Sequence, residues 1–235
     1  MQTNGGKLTL KNLKFFDEGH RYELDGIELP SVSEISRFAS REVYGNDISK
    51  YVLDKACERG TAVHKATEEL DKTGKCEISP EYVEYLNAYV KFRKDFNIKE
   101  YTYIEKPLAD EEAGYAGTLD RVYVIDEDFA KTVKKQCKTD ISEFIGQYAI
   151  IDLKTSSTVK KQLAQIQLPA YSNLLCPRFI FSQRLLDTTV GFLGILHLKK
   201  DGKYKLTPYE DDLSLFYACL TLHKAFAKKS KKESK

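Results

Sequence analysis

The sequence lacks long apolar segments, paired cysteine motifs and a strong charge of either sign. No stretch approaches the length of a membrane span, and the first residues do not have the form of a signal peptide, so we expect no membrane association. The cysteines are odd in number, scattered and never spaced as C-x-x-C. This pattern argues against a disulfide framework, a structural zinc site and an iron–sulfur cluster, and it favours a reduced, cytoplasmic compartment. The cysteines are Cys57, Cys76, Cys137, Cys176 and Cys219.

Signatures of larger assemblies and of known binding modules are missing as well. The chain has no internal repeat and no interdomain linker, and its 235 residues suit one domain with a substantial core. No phosphate-binding glycine loop indicates a helicase motor, and no zinc-finger or RNA-recognition signature is found. We therefore expect a single domain over residues 1–228 and a basic, disordered tail over residues 229–235.

Basic residues are present but unevenly placed. The net charge of +2 is too small to identify a nucleic-acid-binding protein by itself. One lysine cluster lies before residue 140, and a second forms the segment from Lys228 to Lys235. Each cluster has two explanations, either a solvated surface segment or a surface that contacts phosphates without sequence preference. The first cluster consists of Lys131, Lys134, Lys135 and Lys138.

The N-terminal part of the chain predicts a β-hairpin followed by helices. The alternating stretch RYELDGIEL predicts a hairpin that turns at Asp25 and Gly26. Pro30 closes the second strand, and Ser31 is suited to cap a short helix that extends to Phe38.

Two longer helices are expected over residues 48–70 and 80–96. Gly60 predicts a break or a kink in the first of them. Three of its residues have the spacing of a buried stripe, namely Val63, Ala66 and Leu70.

The second half of the chain is richer in predicted strands. A helix is expected over residues 160–175 and another over 213–227. Along the chain we therefore expect helices first, then a mostly antiparallel β-meander, then a helix packed on it, and then further strands. This order predicts a single α/β domain with a central mixed sheet. The expected strands cover residues 101–106, 116–125, 147–153, 190–198 and 203–207.

Two residues at the end of a predicted buried strand carry the first sign of chemistry. In the stretch IIDLKTSS the side chains of Asp152 and Lys154 lie two positions apart and project from the same face, while Leu153 points into the core. A surface ion pair is the alternative. The apolar residues before this pair indicate a central strand, however, and polar residues at the end of a buried strand more often belong to a functional site.

A second carboxylate lies in the stretch AGTLDRVYVID. Gly117 permits a close approach of the backbone, and Asp120 opens an apolar strand. If this strand pairs with the strand of Asp152, two carboxylates meet at one end of a sheet, where they repel each other unless a cation lies between them. Such oxygen ligands suit Mg²⁺ or Mn²⁺. For Asp120 alone, a turn or capping residue is the alternative.

Helices contribute weaker signals. His64 lies about 100° around its helix from Val63, off the buried stripe, so it is not an obvious core histidine; a surface residue is the alternative. Gln167 and Tyr171 are one turn apart beside a buried row, which an ordinary helix flank would also explain. Pro169 lies between them and predicts a kink or a nearby helix start, either of which would affect their alignment.

In order and spacing, GTxxH, GxxD, DLK and QxxxY resemble the RecB-type branch of the PD-(D/E)xK nuclease superfamily. The resemblance extends from His64 to Tyr171, slightly less than half of the chain. The stretch RYELDGIELPSVSEI resembles the opening of phage and prophage members. This resemblance implies a restriction-endonuclease-like fold and a nuclease that uses Mg²⁺, for which Mn²⁺ substitutes. The cysteine cluster of the iron–sulfur subfamilies is absent.

The resemblance also implies roles for individual residues. Lys154 would orient or help to deprotonate the attacking water, and Gln167 and Tyr171 would position the substrate strand or support the lysine. Glu105 matches an acidic position of this branch, where it would support the ligands or help to hold a second metal ion. Lys160 joins the lysine cluster as a candidate DNA contact. The metal ligands would be His64, Asp120, Asp152 and the main-chain carbonyl of Leu153.

Three functions are compatible with these patterns. The first is an active nuclease, expected to be an exonuclease on linear DNA ends in phage recombination, replication or repair, with a helicase or recombination protein as a candidate partner. The second is a catalytically inactive nucleic-acid-binding module, and the third is a structure-specific endonuclease. Every expected catalytic side chain is present, which favours an active enzyme. A phage-encoded protein would act in the cytoplasm of a bacterial host.

Overall fold

The computed structural model describes residues 12–44, 49–177 and 189–233, with side chains described in 12–43, 49–177 and 189–226. The chain begins there with a three-stranded antiparallel sheet of β1 (Leu13–Phe16), β2 (Arg21–Leu24) and β3 (Ile27–Leu29). The predicted hairpin is confirmed as β2 and β3. Asp25 and Gly26 have φ angles of 51° and 84°, the left-handed backbone that a two-residue hairpin turn requires. Strand β1 adds a partner that the sequence pattern did not reveal.

Helices α1 (Val32–Ile35) and α2 (Arg37–Tyr44) follow. Ser31 caps α1 as predicted, because its Oγ accepts a hydrogen bond of 2.9 Å from the backbone nitrogen of Glu34. The predicted short helix ends earlier than expected, and a new helix starts at Arg37.

Helix α3 (Lys50–Thr73) and helix α4 (Val83–Asp95) form the helical half of the domain. The predicted break at Gly60 is wrong, because α3 continues through this residue. A Cβ atom at Gly60 would lie 4.0 Å from Thr155 Oγ1, so the helix passes close to the main sheet there. Val63 and Ala66 of the predicted stripe are buried.

A five-stranded mixed sheet forms the centre of the fold, as predicted. Its order is β4-β5-β6-β7-β8; β6 and β7 are parallel and the other neighbours are antiparallel. The strands are β4 (Tyr103–Asp110), β5 (Tyr115–Val124), β6 (Tyr148–Lys154), β7 (Val190–Leu198) and β8 (Tyr204–Tyr209).

The lysine-rich connection between β5 and β6 is a helix, α5 (Glu127–Cys137), and not an irregular loop. It joins the C-terminal end of β5 to the N-terminal end of β6. Asp152 lies four residues further along β6, about 13 Å away at the usual rise of a strand. The cluster that contains Lys131 and Lys138 therefore lies toward the opposite end of the sheet from Asp152, which favours a solvated surface segment over a surface that contacts phosphates at the site.

Helices cover both faces of the sheet. One apolar cluster joins α3, α4 and α5 to one face and contains Ile151 and Leu153; the other joins α1, α6 (Lys161–Leu175) and α7 (Ser214–Glu233) to the opposite face and contains Ile150. Because side chains alternate along a strand, Asp152 and Lys154 share the face of Ile150.

Residues 229–233 of the predicted basic tail are part of helix α7, whose backbone is described as far as Glu233. Its side chains, and residues 234–235, lie outside the described part of the chain. Among the described residues, no helix combines the length and the apolar character that a bilayer crossing requires.

Candidate metal centre

Two neighbouring strands bring the aspartates together where their pairing ends. Strands β5 and β6 are antiparallel, as predicted, and Arg121 and Ile151 are the last pair in this direction. The next two positions in register are Asp120 and Asp152. There the ladder opens, and Asp120 Oδ2 accepts a hydrogen bond of 2.6 Å from the backbone nitrogen of Leu153. The side chain of Asp120 thus replaces a main-chain partner.

His64 reaches this point from α3. Its Nε2 lies 3.3 Å from the carbonyl oxygen of Leu153. Its Nδ1 lies 3.2 Å from Glu105 Oε1 and 3.6 Å from Asp120 Oδ1. The imidazole is therefore surrounded by oxygen atoms from three strands, and it is neither a core residue nor an isolated surface residue.

Glu105 belongs to β4 and adopts an unusual backbone conformation. Its φ angle is 45°, which a residue with a side chain rarely adopts within a strand. Strained backbone of this kind is often found at functional sites, where the surrounding structure enforces it. Together, His64, Glu105 and Asp120 offer one ligand atom each, and these atoms lie within 4.8 Å of one another.

Asp152 and Lys154 lie beside this group as an ion pair. Lys154 Nζ is 2.7 Å from Asp152 Oδ2, and the side chain of Asp152 is only 6% exposed. The Lys154 ammonium therefore compensates the charge of this buried carboxylate in the metal-free protein. A buried carboxylate is also a candidate ligand for a divalent ion.

The electrostatics of the centre also favour a cation. Burial raises the pKa of Asp120 and of Asp152 above the ordinary value of an aspartate. Burial lowers the pKa of His64, but Asp120 and Glu105 raise it more strongly, to about 9. The protein alone therefore holds a proton on the imidazole, which partly neutralises the carboxylates. A divalent ion would neutralise them more completely.

Two of the donor atoms have the spacing of neighbouring ligands to a small divalent ion. Adjacent ligands of an octahedral Mg²⁺ lie about 3 Å apart, since each is about 2.1 Å from the ion. The 3.3 Å between His64 Nε2 and the Leu153 carbonyl is close to this spacing. If Nε2 binds the ion, Glu105 is left to accept a hydrogen bond from Nδ1, which is how metal-bound histidines are usually oriented. Glu105 would then support the histidine; if Nδ1 binds the ion instead, Glu105 is close enough to be a ligand with Asp120.

Helix α6 brings the remaining predicted residues to the same face of the sheet. It runs from Lys161 through Pro169 without interruption, so Gln167 and Tyr171 keep their alignment. Tyr171 is buried, contacts Ser33 through its hydroxyl, and lies within electrostatic reach of Asp152. Gln167 instead donates a hydrogen bond of 3.0 Å to Ser36 Oγ.

Gly117 makes the predicted close approach. A Cβ atom at this position would lie 2.9 Å from Tyr171 Cε1 and 3.1 Å from Val32 Cγ2. Lys160 precedes the first residue of α6, so it also lies just beyond the strand of Asp152.

Sequence reasoning missed Arg121, which is fully buried beneath the centre. Its guanidinium lies 2.6 Å from Asp71 Oδ2 and 3.0 Å from Glu105 Oε1, and it donates to the carbonyl oxygen of Asp120 at 2.7 Å. It therefore links α3 to the two strands that carry acidic residues of the centre. A charged residue inside an otherwise apolar strand was the signal that could have revealed it, since such residues are rarely buried without a partner.

Comparison with known proteins identifies no relative: no family model matches the chain, and no curated protein matches it.

Proposed function

We propose that this protein is a Mg²⁺-dependent DNA nuclease of the PD-(D/E)xK type. One observation carries the proposal: Asp120, Asp152, Lys154, His64 and the Leu153 carbonyl, which are scattered over ninety residues of sequence, converge where β5 and β6 separate. This is the group of residues that the motif resemblance assigns to phosphodiester hydrolysis.

Each residue has a definite part in this proposal. Asp120, Asp152, His64 and the Leu153 carbonyl would hold the ion, which supplies Lewis-acid polarisation of the phosphate and a water of lowered pKa. Lys154 would orient the attacking water or stabilise charge on the phosphate, because its Nζ lies 2.7 Å from Asp152 Oδ2. It would accept a proton from that water only if the bound ion lowers the pKa of the lysine and leaves it neutral.

The substrate is proposed to be linear DNA, degraded from its ends, with Gln167 and Tyr171 shaping the site from α6. Action in the cytoplasm, during recombination, replication or repair of phage DNA, belongs to the same proposal. A helicase or recombination protein is a candidate partner. Lys160 is the better placed of the candidate DNA contacts, since it follows the strand of Asp152, whereas α5 leaves the far end of the sheet.

The test is a cleavage assay with matched aspartate variants. Purified protein is incubated with linear single-stranded DNA, linear double-stranded DNA labelled at either end, and covalently closed circles, each with Mg²⁺, Mn²⁺ or EDTA. We expect metal-dependent degradation of the linear substrates, stopped by EDTA and lost in Asp152→Asn. Asp140→Asn removes an exposed aspartate elsewhere and serves as the control.

Each alternative predicts a different outcome. Folded wild-type protein that is inert with every metal and substrate would contradict the nuclease. Metal-independent DNA binding that Asp152→Asn leaves unchanged, without any cleavage, would indicate an inactive binding module. Cutting of closed circles would indicate an endonuclease.

A further inference from the structure

The N-terminal sheet lies against the strand that carries Asp120. Tyr22 of β2 is 1% exposed, and its hydroxyl is hydrogen-bonded to Thr118 Oγ1 of β5 at 2.8 Å. Thr118 is two residues before Asp120, and the same Tyr22 hydroxyl lies 3.2 Å from His20 Nε2, so two hydrogen bonds connect His20 to the strand of Asp120. In agreement with this placement, Asp120 and Glu105 both act electrostatically on the ring of His20.

His20 is held firmly although it is exposed. Its backbone has a φ angle of 50°, in the left-handed region that glycine and asparagine adopt more easily. Its ring meets Phe15 and Tyr22 edge-on, with centroids at 5.0 Å and 5.5 Å. Histidine is among the residues that tolerate this region, so the turn and the two ring contacts together fix the orientation of the imidazole.

The hydrogen bonding of His20 leaves one nitrogen open. Nε2 lies 3.2 Å from the Tyr22 hydroxyl. Tyr22 donates to Nε2 if it accepts from Thr118, and this arrangement leaves the ring proton on Nδ1. Within the described residues Nδ1 has no hydrogen-bond partner, so its N–H group is available to a bound ligand.

We propose that His20 is a substrate-contacting residue, whose Nδ1–H donates a hydrogen bond to a non-bridging oxygen of the phosphodiester at the metal centre. This inference rests on the proposed nuclease function and adds a contact outside its motifs. The Nδ1–H group would donate to a negatively charged phosphate oxygen. Hydrogen bonds to a charged acceptor are stronger than hydrogen bonds between neutral groups. The N-terminal sheet is then one wall of the substrate groove.

The test compares two substitutions at this position. His20→Phe keeps an aromatic ring between Phe15 and Tyr22 but removes the donor, and we expect kcat/KM on a labelled linear duplex to fall about ten- to a hundredfold. His20→Asn tolerates the left-handed backbone and places an amide N–H near Nδ1, so it should recover a large part of the rate. His223→Phe, on α7, is the control and should cleave like the wild type.

Two further readouts separate contact with substrate from support of the fold. Mn²⁺ affinity, measured by electron paramagnetic resonance, should be unchanged in His20→Phe, and rates are compared well below the melting temperature of each variant. Wild-type rates in His20→Phe would overturn the inference and leave the nuclease standing. Loss of Mn²⁺ affinity in His20→Phe, or no recovery of the rate in His20→Asn, would also overturn it. An inert wild type would overturn both proposals.

Discussion

Replacement of Arg121 by methionine is the sharpest test of how the centre is held together. The guanidinium is fully buried and joins Asp71 of α3 to Glu105 of β4. It also donates to Thr67 Oγ1 at 3.0 Å and lies 3.0 Å from the Tyr89 hydroxyl. Methionine fills a similar volume but supplies none of these donors.

The expected loss follows from the charges that remain. Asp71 keeps one cation, because Arg93 NH1 lies 2.9 Å from its Oδ1. Among the described residues, Glu105 keeps only His64, at 3.2 Å, as a partner that can carry a positive charge. Removal of one partner from a buried ion pair usually costs about 3–5 kcal/mol, since the other charge stays buried and uncompensated. That is a large share of the roughly 5–15 kcal/mol that stabilises a typical domain.

Urea denaturation of metal-free protein, followed by circular dichroism, measures this loss. Arg121→Met should lower the free energy of unfolding by this amount, and the double variant with Glu105→Gln should recover part of it, because the orphaned carboxylate is then neutral. Lys134→Met breaks an exposed pair with Asp140 and should leave the midpoint unchanged. If Arg121→Met loses less than about 1 kcal/mol, or if Glu105→Gln restores nothing, the buried network does not hold the centre together.

Three further predictions follow from single contacts. The pKa of His64 is raised from 6.5 to about 9, so the native state binds more protons than the unfolded state between these pH values. The contribution of His64 to the free energy of unfolding of metal-free protein should be fully present below pH 6.5 and be lost as the pH rises to 9. If His64→Gln shows the same slope of unfolding free energy against pH as the wild type, this prediction is wrong. Gly117→Ala places a methyl group 2.9 Å from Tyr171 and should lower the free energy of unfolding by about 1–3 kcal/mol; an unchanged denaturation midpoint would contradict the close packing. Arg59 donates to Thr155 and has no acidic partner within the described residues; Arg59→Ala should reduce the slope of log affinity for DNA against log salt by about 1, whereas an unchanged slope would place Arg59 away from the phosphates.

The sequence revealed those parts of the centre whose geometry is local. Asp152 and Lys154 project together because a strand has a period of two, and the pairing of β5 with β6 followed from two apolar runs. The glycine at position 117 indicated a close approach of the backbone, and in the structure any side chain there would collide with Tyr171. Each of these features has a local sign in the sequence, either an alternating pattern or a glycine within a strand, even where the partner is distant.

Other parts depend on contacts between distant segments, which no local pattern encodes. The helix of Lys131 was hidden because its apolar residues are few, and the pattern predicted only a lysine-rich connection. Arg121 is buried because Asp71, fifty residues earlier on α3, packs against it, and the φ angle of 45° at Glu105 is likewise not readable from the sequence around it. Gly60 shows the converse error, since a residue that usually weakens a helix is accommodated where α3 approaches Thr155.

The Leu153 carbonyl shows why the centre forms where it does. In an antiparallel strand, the N–H and the C=O of one residue point toward the same neighbouring strand. Because Asp120 Oδ2 accepts the N–H of Leu153, the carbonyl of that residue is also directed to this side, where His64 Nε2 lies 3.3 Å away. Asp120 therefore has two roles. Its Oδ2 holds the backbone of β6 at Leu153, and its Oδ1 faces the imidazole of His64. An asparagine at position 120 would present its carbonyl oxygen to only one of these two partners. If that oxygen stays with the N–H of Leu153, we expect Asp120→Asn to keep the strand geometry and to lose Mn²⁺ affinity, because an amide N–H then faces the metal centre.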